Sequence, residues 1–176
     1  EGHIHPNAVL NMTMLALRLN NIAWARNFLE AHKNIIIGEN ETHDYYRMNI
    51  AACLFAEKQF EESLACIPYG STNASYHLMA RRLELKIYYE LNSELLPSKI
   101  DAFKMFVSRA GNKSLSANWF ELLTNFGNFV HQLSLSIPGD KKRSEQLINR
   151  IQAKKLVGER GWLLEKAKAL GDAKKI

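Results

Sequence analysis

The sequence predicts an all-α protein of about nine helices arranged in antiparallel pairs. Three observations point there. Apolar residues recur at helical spacing over nearly the whole chain, and no segment of appreciable length alternates as a strand does. Only 4 Pro and 9 Gly occur in 176 residues, and long runs pass without either. Connections between periodic segments are mostly short, which makes chain neighbours antiparallel.

The first helix is expected from about Asn7 to Leu19, with Met12, Leu15, Ala16 and Leu19 on one face, and Asn20-Asn21 breaks it. The second runs from about Ile22 to Ile36, with Gly38 as its C-terminal cap. After the polar stretch GENET, Thr42 or His43 opens a third helix that reaches about Glu57. A short fourth ends at Pro68, and Asn73 can cap a fifth that reaches about Leu91. Ser98-Lys99-Ile100-Asp101 has the spacing of a capping box for the sixth, which Gly111 closes. Ser114 or Ser116 caps the seventh, to about Ser136. The basic eighth covers about Lys141 to Val157, and a last piece, Trp162 to Leu170, is expected to fold back as a cap.

Composition sets further bounds. With 47% hydrophobic and 23% charged residues the chain is that of an ordinary globular protein. It contains no apolar run near the ~20 residues that a membrane span needs. It starts at Glu1 with neither Met nor a signal-like segment, so a processed product or a piece of a longer chain is expected. Cys53 and Cys66 lie among apolar neighbours without metal-ligand spacing and read as free buried thiols. Free thiols favour a reducing compartment, and the expected location is the cytoplasm. The net charge of +5 is uneven. Residues 1–138 carry 12 basic and 13 acidic side chains, whereas residues 139–176 carry 11 and 5.

Small residues fall where two helices need to cross closely. Arg47-x-x-Ile50-Ala51-x-x-Leu54 is followed by Phe60-x-x-Ser63-x-x-x-Ile67, with Ala51 and Ser63 at the crossing. Val9-x-x-Met12-Thr13-x-x-Ala16 and Ile22-x-x-Ala25-x-x-x-Leu29 have the same internal spacing, and Ala25 and Ser63 are 38 residues apart. This pattern resembles the tetratricopeptide repeat, a helix–turn–helix unit of about 34 residues. Arg47 departs from that family's usual aromatic, and SELLPS is an insertion in the third pair, where either Leu83 or Leu85 is the core position. The lower half, with AFKMFVSRAGNKSLS and GERGWLLEKAKAL, also resembles the C-terminal part of uncharacterised tetratricopeptide-like proteins of Bacteroidetes.

The resemblance implies a right-handed superhelical stack of helix pairs, a single α-solenoid domain over residues 1–176. Its pairs are 7–38, 42–70 and 73–111, with a degenerate pair at 114–157 and a capping helix at 160–170.

Motifs for chemistry are lacking. The chain has no Gly-rich phosphate loop, no Gly-x-Ser-x-Gly and no His-Glu-x-x-His. Of six histidines only His3 and His5 are close in sequence; His32 reads as a partly buried structural residue. Glu61-Glu62 opens a helix, where the helix dipole favours negative charge. Trp119, Phe120, Phe126 and Phe129 read as core or inter-repeat contacts. No catalytic residue, metal or cofactor is expected, and the chain is read as a non-enzyme.

Two functions remain. The resemblance implies a scaffold that binds a protein or peptide along the first helix of each repeat. Carried over, the candidates are Asn7, Leu10, Met14, Leu17 and Arg18, then Tyr45, Met48, Ala52 and Phe55, then Arg82, Lys86 and Tyr89. Arg82 and Lys86 are one turn apart and are expected to be exposed together. The family's carboxylate clamp for chaperone tails wants Lys and Asn where Leu10 and Met14 stand, so that clamp is absent. The alternative is binding of nucleic acid or an acidic partner through Lys141, Lys142, Arg143, Arg150, Lys154 and Lys155. Against nucleic acid, Glu145 and Glu159 interrupt the patch, and no aromatic platform is interleaved.

Overall fold

A computed structural model describes residues 4–34, 42–69, 74–111 and 115–173, without the side chains of Thr42 and His43. Gly38, Asn73, Ser114 and His3 lie outside the described residues, as does the His43 side chain. Among the described residues there are nine helices and no strand. They are α1 (Pro6–Arg18), α2 (Ile22–Ala31), α3 (Thr42–Ala56), α4 (Phe60–Cys66), α5 (Ala74–Glu90), α6 (Leu96–Gly111), α7 (Ala117–Ser134), α8 (Lys141–Ala153) and α9 (Arg160–Asp172). The all-α expectation holds. Contacts divide the chain into two compact units, Glu1–Leu91 and Asn92–Ile176. The first carries α1–α5 and the second α6–α9.

In the first unit, α1 packs on α2, α2 on α3, α3 on α4 and α4 on α5, while α3 also meets α1 and α5. Two identical turns make this regular. Asn20 N–H donates to Leu17 O and Asn21 N–H to Ala16 O; Lys58 N–H donates to Phe55 O and Gln59 N–H to Leu54 O. Both are Schellman closures, with Asn20 (φ 56°) and Lys58 (φ 63°) in the left-handed conformation they require. The two turns are 38 residues apart, the spacing read from Ala25 and Ser63. Asn92 has φ 47° and follows Lys58 by 34 residues. That offset aligns Leu85, rather than Leu83, with Ala51.

The predicted crossing is present. Ala51 and Ser63 are fully buried, and Ser63 Oγ donates to Ala51 O at 2.7 Å. In the first pair the hydroxyl sits on the other helix, at Thr13, and its Oγ1 is buried without a hydrogen-bond partner. Tyr76 ties three segments together: its hydroxyl donates to Pro6 O at 2.7 Å and accepts from Asn49 Nδ2 at 2.9 Å. Asn49 also donates to Tyr45 O.

The apolar face assigned to α1 needs correction. Val9, Leu10, Thr13 and Ala16 are its buried face, and Met12, Leu15 and Leu19 are exposed. Only Ala16 of the expected set points inward. The reason is that Thr13 takes the crossing position opposite α2, which rotates the stripe beside it to the outside.

In the second unit, α6 packs on α7, α8 on α9 and α7 on α9. α8 packs chiefly on α9, and it meets α7 through Arg150, which donates to Gln132. Ser144 explains α8. It is buried, and its Oγ donates to Ala167 O of α9 at 2.6 Å, repeating the arrangement of Ser63 and Ala51. Gly171 permits that approach, since a Cβ there would lie 2.7 Å from Ser144 Oγ. At the α6–α7 contact Gly127 lies under the Phe103 ring, which meets Phe126 edge-on at 5.5 Å.

The expected capping box at Ser98 is not formed. α6 begins at Leu96, and Ser98 Oγ donates to Leu95 O, while Ser93 Oγ accepts from Leu95 N–H. Pro97 lies in the first turn, where its missing N–H costs nothing. Ser116 does cap α7, accepting from Trp119 N–H. Helix α8 ends at Ala153 rather than near Val157 because Arg160 folds back on its last carbonyls.

Candidate functional site

The residues proposed for the first-helix face do not form one open surface. Leu10, Met48 and Ala52 are buried, and so is Tyr45, whose ring lies 4.7 Å from that of Tyr76. Lys86 is 9% exposed, with its ammonium 4.5 Å from the centre of the Phe55 ring. The expectation that Arg82 and Lys86 are exposed together is therefore corrected: Lys86 is buried and Arg82 half-buried, its Nε donating to Leu78 O at 3.3 Å. Asn7, Met14, Leu17, Phe55 and Tyr89 are half-buried. Of the set, only Arg18 is exposed, in the last turn of α1.

A different surface stands open on α1. Met12, Leu15 and Leu19 are 41%, 59% and 71% exposed and continue the line of Ala8. Adding the 38-residue offset gives Tyr46, Ile50 and Cys53 on α3 and Glu57 immediately after it. That α3 line is where α2 packs. Arg26 pairs with Glu57 through two hydrogen bonds, at 3.1 and 2.6 Å. Tyr46 donates to Glu30 at 2.9 Å, and the Lys33 ammonium lies 5.0 Å from its ring centre. Burial first, then the bond to Glu30, raises the Tyr46 hydroxyl above its ordinary pKa. Burial likewise pushes the Cys53 thiol from 9.0 up to about 11, so it stays protonated and inert. Cys53 and Cys66 are both free, as expected, but only Cys53 is buried and Cys66 is half-buried.

The basic residues of α8 fall into two groups. Lys141 and Lys142 are exposed at its start, and Arg143 is half-buried with Nε donating to Ser136 Oγ. Arg150, Lys154 and Lys155 are exposed at its end, and the exposed Glu145 lies between the groups. Arg150 and Lys154 border an open cleft of about 250 Å³ whose other wall is α7, with Asn125, Asn128 and Gln132 on one stripe. Phe129 and His131 also line it. Sequence reasoning missed these α7 residues and Lys104. The available signal was the helical spacing of the amides Asn125, Asn128 and Gln132, beside the apolar face of Leu123, Phe126, Phe129, Val130 and Leu133.

Arg160 was also missed. Its Nη1 donates to Ile151 O and Gln152 O, and its Nη2 to Lys154 O and Lys155 O. A cation on these carbonyls offsets the negative end of the α8 dipole. Trp119 and Phe120, expected as core or inter-repeat contacts, are exposed and so not core. They occupy the first turn of α7, with the Phe120 ring against Gly111.

No group of His, Cys, Asp and Glu suited to a metal occurs among the described residues, and no described helix is long and apolar enough to cross a membrane. No protein family, curated protein or solved structure matches the chain. The functional reading therefore rests on its own residues.

Proposed function

We propose that the chain is a protein-interaction scaffold that receives a helix of a partner along Ala8, Met12, Leu15 and Leu19 of α1. The observation that carries this is internal to the molecule. The equivalent stripe on α3 is covered by α2, and the one on α1 is open. Large apolar side chains in a row on a helix surface mark contact sites, and full burial of a Leu or Met contributes about 1.5–3 kcal/mol. A right-handed superhelical stack of tetratricopeptide-like pairs is part of this proposal. The order of packing from α1 to α5 supports it. The role is binding, without a catalytic step, and the contact moves from the first-helix groove to the outer stripe of α1.

Capture from the native lysate tests this, with a photo-crosslinking residue at position 15 of the wild type and with a Leu15→Glu/Leu19→Glu chain. A protein crosslinked at position 15 and lost from the double variant is the expected result. Retention of the same protein by both chains would show that the stripe is not the contact.

An acidic partner at the basic C-terminal helices is a second reading, favoured by the cleft between α7 and α8. Nucleic acid fits less well. The cations lie in two groups with Glu145 between them, and the nearest ring, Phe129, is buried, so no continuous track or stacking platform is offered.

A further inference from the structure

We propose that the α7–α8 cleft binds one oxyanion of an acidic protein segment, a carboxylate or a phosphate monoester, through Arg150 and Lys154. This rests on the acidic-partner reading of the C-terminal helices and is independent of the α1 stripe.

The cleft sets two cations at the end of α8 against the amide-bearing stripe of α7. Arg150 Nη1 donates to Gln132 Oε1 at 2.6 Å, and the guanidinium lies 6.0 Å from the centre of the Phe129 ring. Gln132 is itself held, since its Nε2 donates to Asn128 O at 3.3 Å. Thus a side chain with five donors is oriented by using one of them, and its fork is left to face the cleft. Among the described residues neither Arg150 nor Lys154 has a carboxylate within ion-pair distance. None of the seven residues lining the cleft is acidic.

Two further details agree. Lys104 Nζ lies 3.4 Å from Nδ1 of His131, which lines the cleft. A third cation therefore stands behind the cleft wall. At the end of α8 the exposed carbonyls would repel an anion, but Arg160 occupies those of Ile151, Gln152, Lys154 and Lys155. An Arg fork beside a Lys point charge suits a bidentate oxyanion. A volume of about 250 Å³, open on one side, leaves room for the linker that carries the anion.

The test uses the full chain, with side-chain amide signals of Asn128 and Gln132 followed by NMR. The probes are inorganic phosphate and short peptides carrying one glutamate, one phosphoserine or one serine. The glutamate or phosphoserine peptide should shift both amides, and the serine peptide should not. Arg150→Gln/Lys154→Gln should weaken binding about tenfold or more, while Arg109→Gln/Lys168→Gln, which removes the same charge from exposed positions outside the cleft, should leave it unchanged. Both pairs are exposed, so circular dichroism should show the fold intact; if the first variant unfolds, Arg150→Lys replaces it and should still weaken the carboxylate peptide. Phosphate shifting the amides with no acidic peptide bound would sink the acidic-segment reading and leave an anion site. Absence of shifts with every anion would overturn the site itself. Tighter binding of a single-stranded oligonucleotide, lost in Lys141→Gln/Lys142→Gln, would overturn the proposal in favour of a phosphate track.

Discussion

Replacing Ala51 with Trp should destabilise the first unit by about 2–4 kcal/mol. Ala51 is fully buried where α3 crosses α4, and its carbonyl accepts Ser63 Oγ at 2.7 Å. The two backbones are thus separated by little more than one hydroxyl group. An indole at this position forces the helices apart. That removes the Ser63 bond, worth about 1 kcal/mol net, and adds overpacking strain of about 1–3 kcal/mol. Urea unfolding followed by far-ultraviolet circular dichroism reads the change. With a slope of about 2 kcal/mol/M, the middle of the usual range in urea, the midpoint should fall by roughly 1–2 M. Ala56, five residues on, is half-buried; Ala56→Trp should change stability by no more than about 0.5 kcal/mol. In a Ser63→Ala background the Ala51→Trp cost should shrink by about 1 kcal/mol, because the bond is already gone. Equal effects at positions 51 and 56 would refute the crossing.

Gly127→Val should destabilise the second unit by about 2–3 kcal/mol, because even a Cβ there lies 3.0 Å from the Phe103 ring; chemical unfolding checks this, and a Phe103→Leu background should recover part. Tyr76→Phe should cost about 1–3 kcal/mol by leaving the Asn49 amide and Pro6 carbonyl short of a buried partner, again read by unfolding. At neutral pH a thiol reagent should label Cys66, which is partly exposed, well before buried Cys53. The raised Cys53 pKa also sets an alkaline limit. The neutral thiol is favoured in the fold, so its contribution is complete below the unfolded value of 9.0 and is lost as pH rises through about 11. Stability should fall by roughly 2–3 kcal/mol over that window, and Cys53→Ala should flatten the decline.

The helices were legible because their periodicity is a local property. The Ala51–Ser63 crossing was legible for the same reason: only a small residue fits between two closely packed helices, and its spacing recurs at Ala25. Helix ends were less so. Asn20 and Lys58 share a left-handed turn despite different side chains, and Ser98 looks like a cap although Leu96 and Pro97 already start the helix. Which face of α1 is buried was a tertiary decision. Met12, Leu15 and Leu19 are as apolar as Val9 and Leu10, and only the position of α2 and α3 distinguishes them. Lys86 was read as a surface charge, yet the Phe55 ring provides a buried place for its ammonium. Arg150 was legible as a cation, whereas its role was not, because the amides that orient it come from α7, eighteen residues and one chain reversal away. Sequence alone settles what is repeated over one or two helical turns. Contacts between separate helices decide which of those repeated faces meets the core, a partner or an anion.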